Sequence, residues 1–93
     1  MENKKEIVIT SAFRTAIGSF GGSLSSLSAA QLGAEVIKKC VEHSELKNTD
    51  VDTVYMGQVL QAGTGQNPAR QAAKFAGLPN ETVSTTINQL CGS

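Results

Sequence analysis

Tryptophan is absent from this 93-residue chain, tyrosine occurs once, phenylalanine three times and proline twice. A core with so few rings has to be built from Val, Ile, Leu and Ala. At 40% hydrophobic residues the composition is that of a small globular domain, neither disordered nor coiled-coil. Net charge is missing as well: Lys+Arg and Asp+Glu balance at 8 each, so no field draws the chain to nucleic acid or to an anionic membrane. Long apolar runs are missing too. After Lys4-Lys5 comes only a short stretch, inadequate for a signal-peptide core or a membrane span. Two cysteines and one histidine, far apart in sequence, offer no metal-ligand spacing. Without an export signal, two cysteines read as reduced thiols of a cytoplasmic protein rather than a disulfide scaffold. There is no internal repeat and no low-complexity tract, and a chain this short buries only about 60–65% of its unfolded surface.

What is present reads as alternating strands and helices. Glu6-Ile7-Val8-Ile9-Thr10 is a continuous apolar run of the kind found in strands covered on both faces, and predicts a strand over 7–12. Gly18 to Ser28 is a flexible Gly/Ser-rich loop. Ser28 then caps a helix over 29–43, with apolar positions at Ala29, Leu32, Val36, Ile37, Cys40 and Val41. Cys40 falls on that stripe and is expected in the core, and His43 reads as a solvated helix-end residue. A second strand is expected over 53–60. After the turn Gly63-Thr64-Gly65-Gln66, Asn67 as cap and Pro68 at the first helical position open a helix over 67–76. Its small inner face is Ala69, Ala72, Ala73 and Ala76, and Gly77-Leu78 closes it, with Leu78 folding back onto Ala73. Thr82 to Ile87 is the third strand, rich in β-branched residues. The order βαβαβ argues for an α/β fold with a mostly parallel sheet and covering helices. Such an order leaves one sheet face partly bare, and the expectation is that residues 1–93 are part of a longer protein.

Directly after the third strand stands Asn88-Gln89-Leu90-Cys91-Gly92-Ser93. A thiol where a strand ends, with Gly beside it, occupies a turn that a substrate can approach. A helix start at that point would favour thiolate. The alternative is an ordinary buried thiol. Other motifs carry less. Gly63-Thr64-Gly65-Gln66-Asn67-Pro68 has Pro68 where a dinucleotide fingerprint needs its third glycine. The Gly18–Gly22 loop lacks the Gly-Lys-Ser/Thr ending of a phosphate-cradling loop. Arg14 and Arg70 could bind anions, but loop anchoring through their fork of donors is the preferred reading.

Taken together, Arg14-Thr15-Ala16-Ile17-Gly18 with Phe20-Gly21-Gly22, Gly57-Gln58-Val59, Gly65-Gln66-Asn67-Pro68-Ala69-Arg70-Gln71-Ala72-Ala73 and Asn88-Gln89-Leu90-Cys91-Gly92-Ser93 closely resemble the N-terminal part of a thiolase. The short-chain acetyl-CoA acetyltransferase type is nearest in pattern. The blocks run in order and at natural spacing through nearly the whole chain. Ala16, where many relatives carry proline, and Gln89-Leu90 are small departures. The resemblance implies that residues 1–93 are an incomplete N-terminal part of the thiolase N-terminal domain, and that Cys91 is the nucleophile that carries the acyl group. It implies ping-pong condensation of two acetyl-CoA to acetoacetyl-CoA plus CoA, and the reverse thiolysis, with the cysteine N–H in an oxyanion hole. CoA thioesters would be substrates, with no further cofactor, no metal, and no nucleic-acid or membrane partner. A homo-oligomer, tetrameric in the whole enzyme, is expected. The family's activating histidine, second cysteine and most of its CoA pocket match nothing here, so the 93 residues alone are expected to be inactive. A 3-ketoacyl-CoA thiolase of fatty-acid degradation and a non-catalytic dimerisation module of the same fold remain as alternatives.

Overall fold

The computed structural model describes residues 5–93. Helix α1 spans Ala29–His43 and starts on a reciprocal cap: Ser28 Oγ accepts the Gln31 N–H at 3.1 Å while Gln31 Oε1 accepts the Ser28 N–H at 2.8 Å. A short 3-10 turn, Asn48–Asp50, leads into strand β1, Thr53–Gly57. Helix α2, Pro68–Phe75, is the crossover to strand β2, Val83–Ile87. The two strands pair in parallel, Thr53 opposite Val83 through Gly57 opposite Ile87. Both helix boundaries and the third expected strand lie within a residue or two of the sequence reading.

Small side chains bring the layers close. A Cβ at Gly33 would stand 2.8 Å from Met56 Cε and 3.3 Å from Ala72 Cβ, so the glycine lets α1 lie close against both β1 and α2. Ala69, Ala72, Ala73 and Ala76 are buried on α2, and Leu78, 1% exposed, is the largest fully buried side chain among the described residues. Gly77 takes a φ of 85°, and the N–H groups of Gly77 and Leu78 donate to Lys74 and Ala73 O, which folds Leu78 back under α2 as expected. The core joins Leu78 to Ala34, Val41, Val54, Ala73 and Ala76, with Ile37, Val51 and Met56 half-buried against it. Helices therefore cover one sheet face. The opposite face leaves Tyr55 and Val83 exposed.

Three expectations need correction. Residues 7–12 form no strand: Ile7 and Ile9 are 97% and 91% exposed, and no backbone pairing joins the run to β1 or β2. An apolar run becomes a strand only where the chain brings it alongside a sheet edge to exchange backbone bonds, and this run is not placed against either edge of the β1–β2 pair. Here the segment is tethered to the far end of α1 instead, through Thr10 Oγ1 to Ser44 Oγ at 2.7 Å and Ser11 Oγ to Cys40 O at 3.1 Å. The second strand stops at Gly57 rather than running to residue 60, because after one more bond, Gln58 N–H to Ile87 O at 3.0 Å, the chain turns into the loop that leads to Gly63. Cys40 is half-buried rather than in the core.

Candidate active site

Two parallel strands carry their following loops out at the same edge, the place where open α/β sheets bind ligands. The loop after β1 and the turn after β2 meet there. In that turn the Gly92 N–H donates to Gln89 O and the Ser93 N–H to Leu90 O, both at 3.0 Å, and the Gln89 N–H is taken by Ser93 Oγ. Leu90 sits at a φ of 52°. A leucine in the left-handed region costs on the order of 1–3 kcal/mol unless its surroundings hold it there. They do: the Leu90 N–H donates to Asn88 Oδ1 at 3.1 Å, and the other end of that carboxamide, Nδ2, donates to Val59 O at 3.0 Å.

Cys91 is exposed at the head of this turn. Its backbone N–H is the one amide of residues 89–93 with no acceptor among the described residues, since those of Gln89, Leu90, Gly92 and Ser93 are all engaged. A free thiol beside a free N–H gives a nucleophile and a hydrogen-bond donor on one residue. Val59 and Leu60 on the loop after β1 and Leu90 in the turn are all exposed apolar side chains. A cavity of about 310 Å³ opens where the starts of both helices meet the loop after β1, lined by Ser28, Ala30, Gln58, Thr64, Pro68 and Gln71.

Beneath the turn, β2 is pinned by its neighbours. Asn67, at a φ of 38°, caps α2 by accepting the Arg70 N–H at 3.3 Å, donates through Nδ2 to Ser84 O at 3.1 Å and receives the Thr86 hydroxyl at 2.6 Å. Thr86 Oγ1 in turn accepts the Ala69 N–H at 3.0 Å. The sequence reading found Asn67 as a cap but not as a strut between α2 and β2.

The other sequence candidates take their contacts elsewhere among the described residues. Cys40 and His43 lie in the last turn of α1, about 16 Å and about 21 Å along the helix from its first residue. His43 packs edge-on against Phe13, ring centroids 5.2 Å apart, and Lys39 Nζ lies 5.8 Å from the same ring. Arg70 spans to Thr82 O at 2.9 Å and Asn80 O at 3.3 Å, so it anchors the loop before β2, as preferred above. Arg14 is exposed and bonds the neighbouring Thr15 O. Asn88 and Gly57 were missed as parts of the site. The one signal pointing to Gly57 is a glycine at the end of a strand, where a backbone approaches closely.

Residues 7–93 match the family model described as thiolase, N-terminal domain. The chain is 57% identical over 88 residues to an acetyl-CoA acetyltransferase of Cupriavidus necator, covering 95% of this chain and 22% of that protein. The acetyl-CoA acetyltransferase of Escherichia coli is 56% identical over 89 residues, 96% of this chain and 23% of its own. Among solved structures, the Acat5 thiolase of Ascaris suum in complex with coenzyme A superposes with a TM-score of 0.84 at 41% identity, covering 86% of this chain and 21% of that one. The chain thus spans less than a quarter of the length of these relatives.

Proposed function

Since this chain belongs to the thiolase family through its N-terminal domain, we propose that it supplies the nucleophilic half of an acetyl-CoA acetyltransferase site, with Cys91 as the residue acylated. The relatives named for that activity are four to five times longer, so the activity is proposed for a whole subunit of that length carrying this segment.

The chemistry follows from the turn. Cys91 thiolate adds to the thioester carbonyl of acetyl-CoA. The carbonyl oxygen gains negative charge as it becomes tetrahedral, and the unengaged Cys91 N–H is a donor for it. Collapse breaks the bond to the CoA sulfur, which leaves with a proton, and acetyl-Cys91 remains. A second acetyl-CoA, having lost a proton from its α-carbon, attacks that thioester. A carbon–carbon bond forms, acetoacetyl-CoA departs and the thiolate returns. Neither proton is handled by His43, whose ring is packed on Phe13. The base and the group that takes the α-proton come from the rest of the subunit.

The observation that carries this reading is the exposed Cys91 thiol, beside its own free N–H, at the strand-end edge of the parallel pair. A homotetramer in the cytoplasm, using CoA thioesters and no separate cofactor, completes the proposal. The bare sheet face with Tyr55 and Val83 exposed supports coverage by further protein. The test is thiolysis of acetoacetyl-CoA by the whole subunit, prepared where needed by exchanging residues 7–93 into the Cupriavidus necator relative. The parent should turn over and Cys91→Ala should not. An active Cys91→Ala subunit would refute the proposal.

A further inference from the structure

We propose that Asn88 is a positioning residue for acyl transfer: its side chain fixes the direction of the Cys91 N–H and thiol without touching the substrate. The inference rests on Cys91 being the nucleophile and names what holds it in register. The orientation of the Leu90–Cys91 peptide follows from the Leu90 backbone, which sits at a φ of 52°. That conformation is one a leucine does not keep unaided. Asn88 Oδ1 accepts the Leu90 N–H at 3.1 Å, closing a side-chain turn two residues long. Through Nδ2 the same planar group reaches Val59 O at 3.0 Å, on the loop after β1 and 29 residues away in sequence. One carboxamide therefore sets the turn's internal shape and also its position relative to the neighbouring strand's loop. Ser93 Oγ on the Gln89 N–H helps with the first task only.

The two tasks need different atoms, which makes the role testable by substitution. Aspartate keeps an acceptor for Leu90 but turns an oxygen towards Val59 O, so it caps the turn and loses the tether. Alanine loses both. A residue needed only for folding would lower stability and activity together. A positioning residue changes the acyl-transfer rate while the affinity for acetyl-CoA stays put.

The experiment is single-turnover acetylation of Cys91 by acetyl-CoA in the whole subunit, together with hydrogen exchange at the Leu90 amide. Asn88→Ala should slow acetylation on the order of a hundredfold, as a misplacement of about 1 Å can, with half-saturation by acetyl-CoA unchanged and the Leu90 amide exchanging freely. Asn88→Asp should fall between, with the Leu90 amide still protected. An Asn88→Ala rate within about threefold of the parent, or a loss in which half-saturation and melting temperature move together with the rate, would overturn the assignment. If Asn88→Ala fails to fold, Asn88→Asp carries the same comparison. A parent that takes no acetyl group at Cys91 defeats the nucleophile reading itself, whereas a parent that is acetylated beside an equally fast Asn88→Ala defeats only the role of Asn88.

Discussion

Gly57 at the end of β1 and Ser93 beyond the cysteine turn lie so close that a Cβ on Gly57 would stand 2.6 Å from Ser93 Cβ and 2.8 Å from Ser93 O. The turn that carries Cys91 is therefore seated on the bare backbone of the neighbouring strand. Gly57→Ala should push it off that seat. Overpacking of this kind costs about 1–3 kcal/mol, against the roughly 0.4–1 kcal/mol an alanine gains by stiffening the unfolded chain. The expected outcome in the whole subunit is a lower denaturation midpoint and acetylation of Cys91 slowed at least tenfold. Unchanged acetylation would mean that the seat has no part in placing the thiol.

Asn67 offers a second test, because two properties combine there. Asn67→Ala removes the α2 cap and the strut to Ser84 and Thr86 while forcing alanine to a φ of 38°. Asn67→Gly removes the same bonds without the backbone strain. Loss of an N-cap costs about 0.5–2 kcal/mol with alanine and only a few tenths with glycine, so the unfolding midpoints should rank parent, Asn67→Gly, Asn67→Ala. The reverse order of the two variants would contradict the left-handed geometry of this cap.

Leu78→Ala should be the most damaging single truncation in the core. At 1% exposure it is the largest fully buried side chain among the described residues, and the alanines of α2 that face it have no length with which to refill the gap. A loss of about 2–5 kcal/mol is expected, read by denaturant unfolding.

How much of this was legible in the residues varies by element. Both helices could be read because their signals are local: Ser28, Asn67 with Pro68, and Gly77 each act within a turn of the structure they specify. Ile7-Val8-Ile9 carries an equally local strand signal, yet pairing depends on where an open edge stands, and that information is not in the run itself. Cys91 stood out because a thiol and a glycine follow a β-branched strand. Its supports did not. Asn88 resembles any turn asparagine until Val59 arrives from 29 residues upstream. A leucine gives no hint that it will take a positive φ, and the Gly57–Ser93 contact exists only once the strands are paired.

The two thiols differ in access, Cys91 exposed and Cys40 half-buried on α1. Brief treatment with iodoacetamide followed by peptide mapping should label Cys91 first, since the reagent reaches an exposed thiol sooner than a half-buried one. Faster labelling of Cys40 would contradict the geometry of the turn.

By themselves, residues 1–93 should show no measurable turnover. The chain has one histidine, and it lies in the last turn of α1 with its ring against Phe13. No imidazole is left to take the thiol proton, and general acid–base help of that kind is worth about a hundred- to ten-thousandfold in rate. Robust acetoacetyl-CoA thiolysis by the isolated 93 residues would show that the missing base is not needed.

The central claim is that Cys91 takes the acyl group, and peptide mass spectrometry of the whole subunit quenched after mixing with acetyl-CoA tests it most directly. The account predicts one acetyl group on the peptide carrying Cys91, removed when free CoA is added and absent from Cys91→Ala. Acetyl found on Cys40, or turnover with Cys91 unmodified, would contradict it.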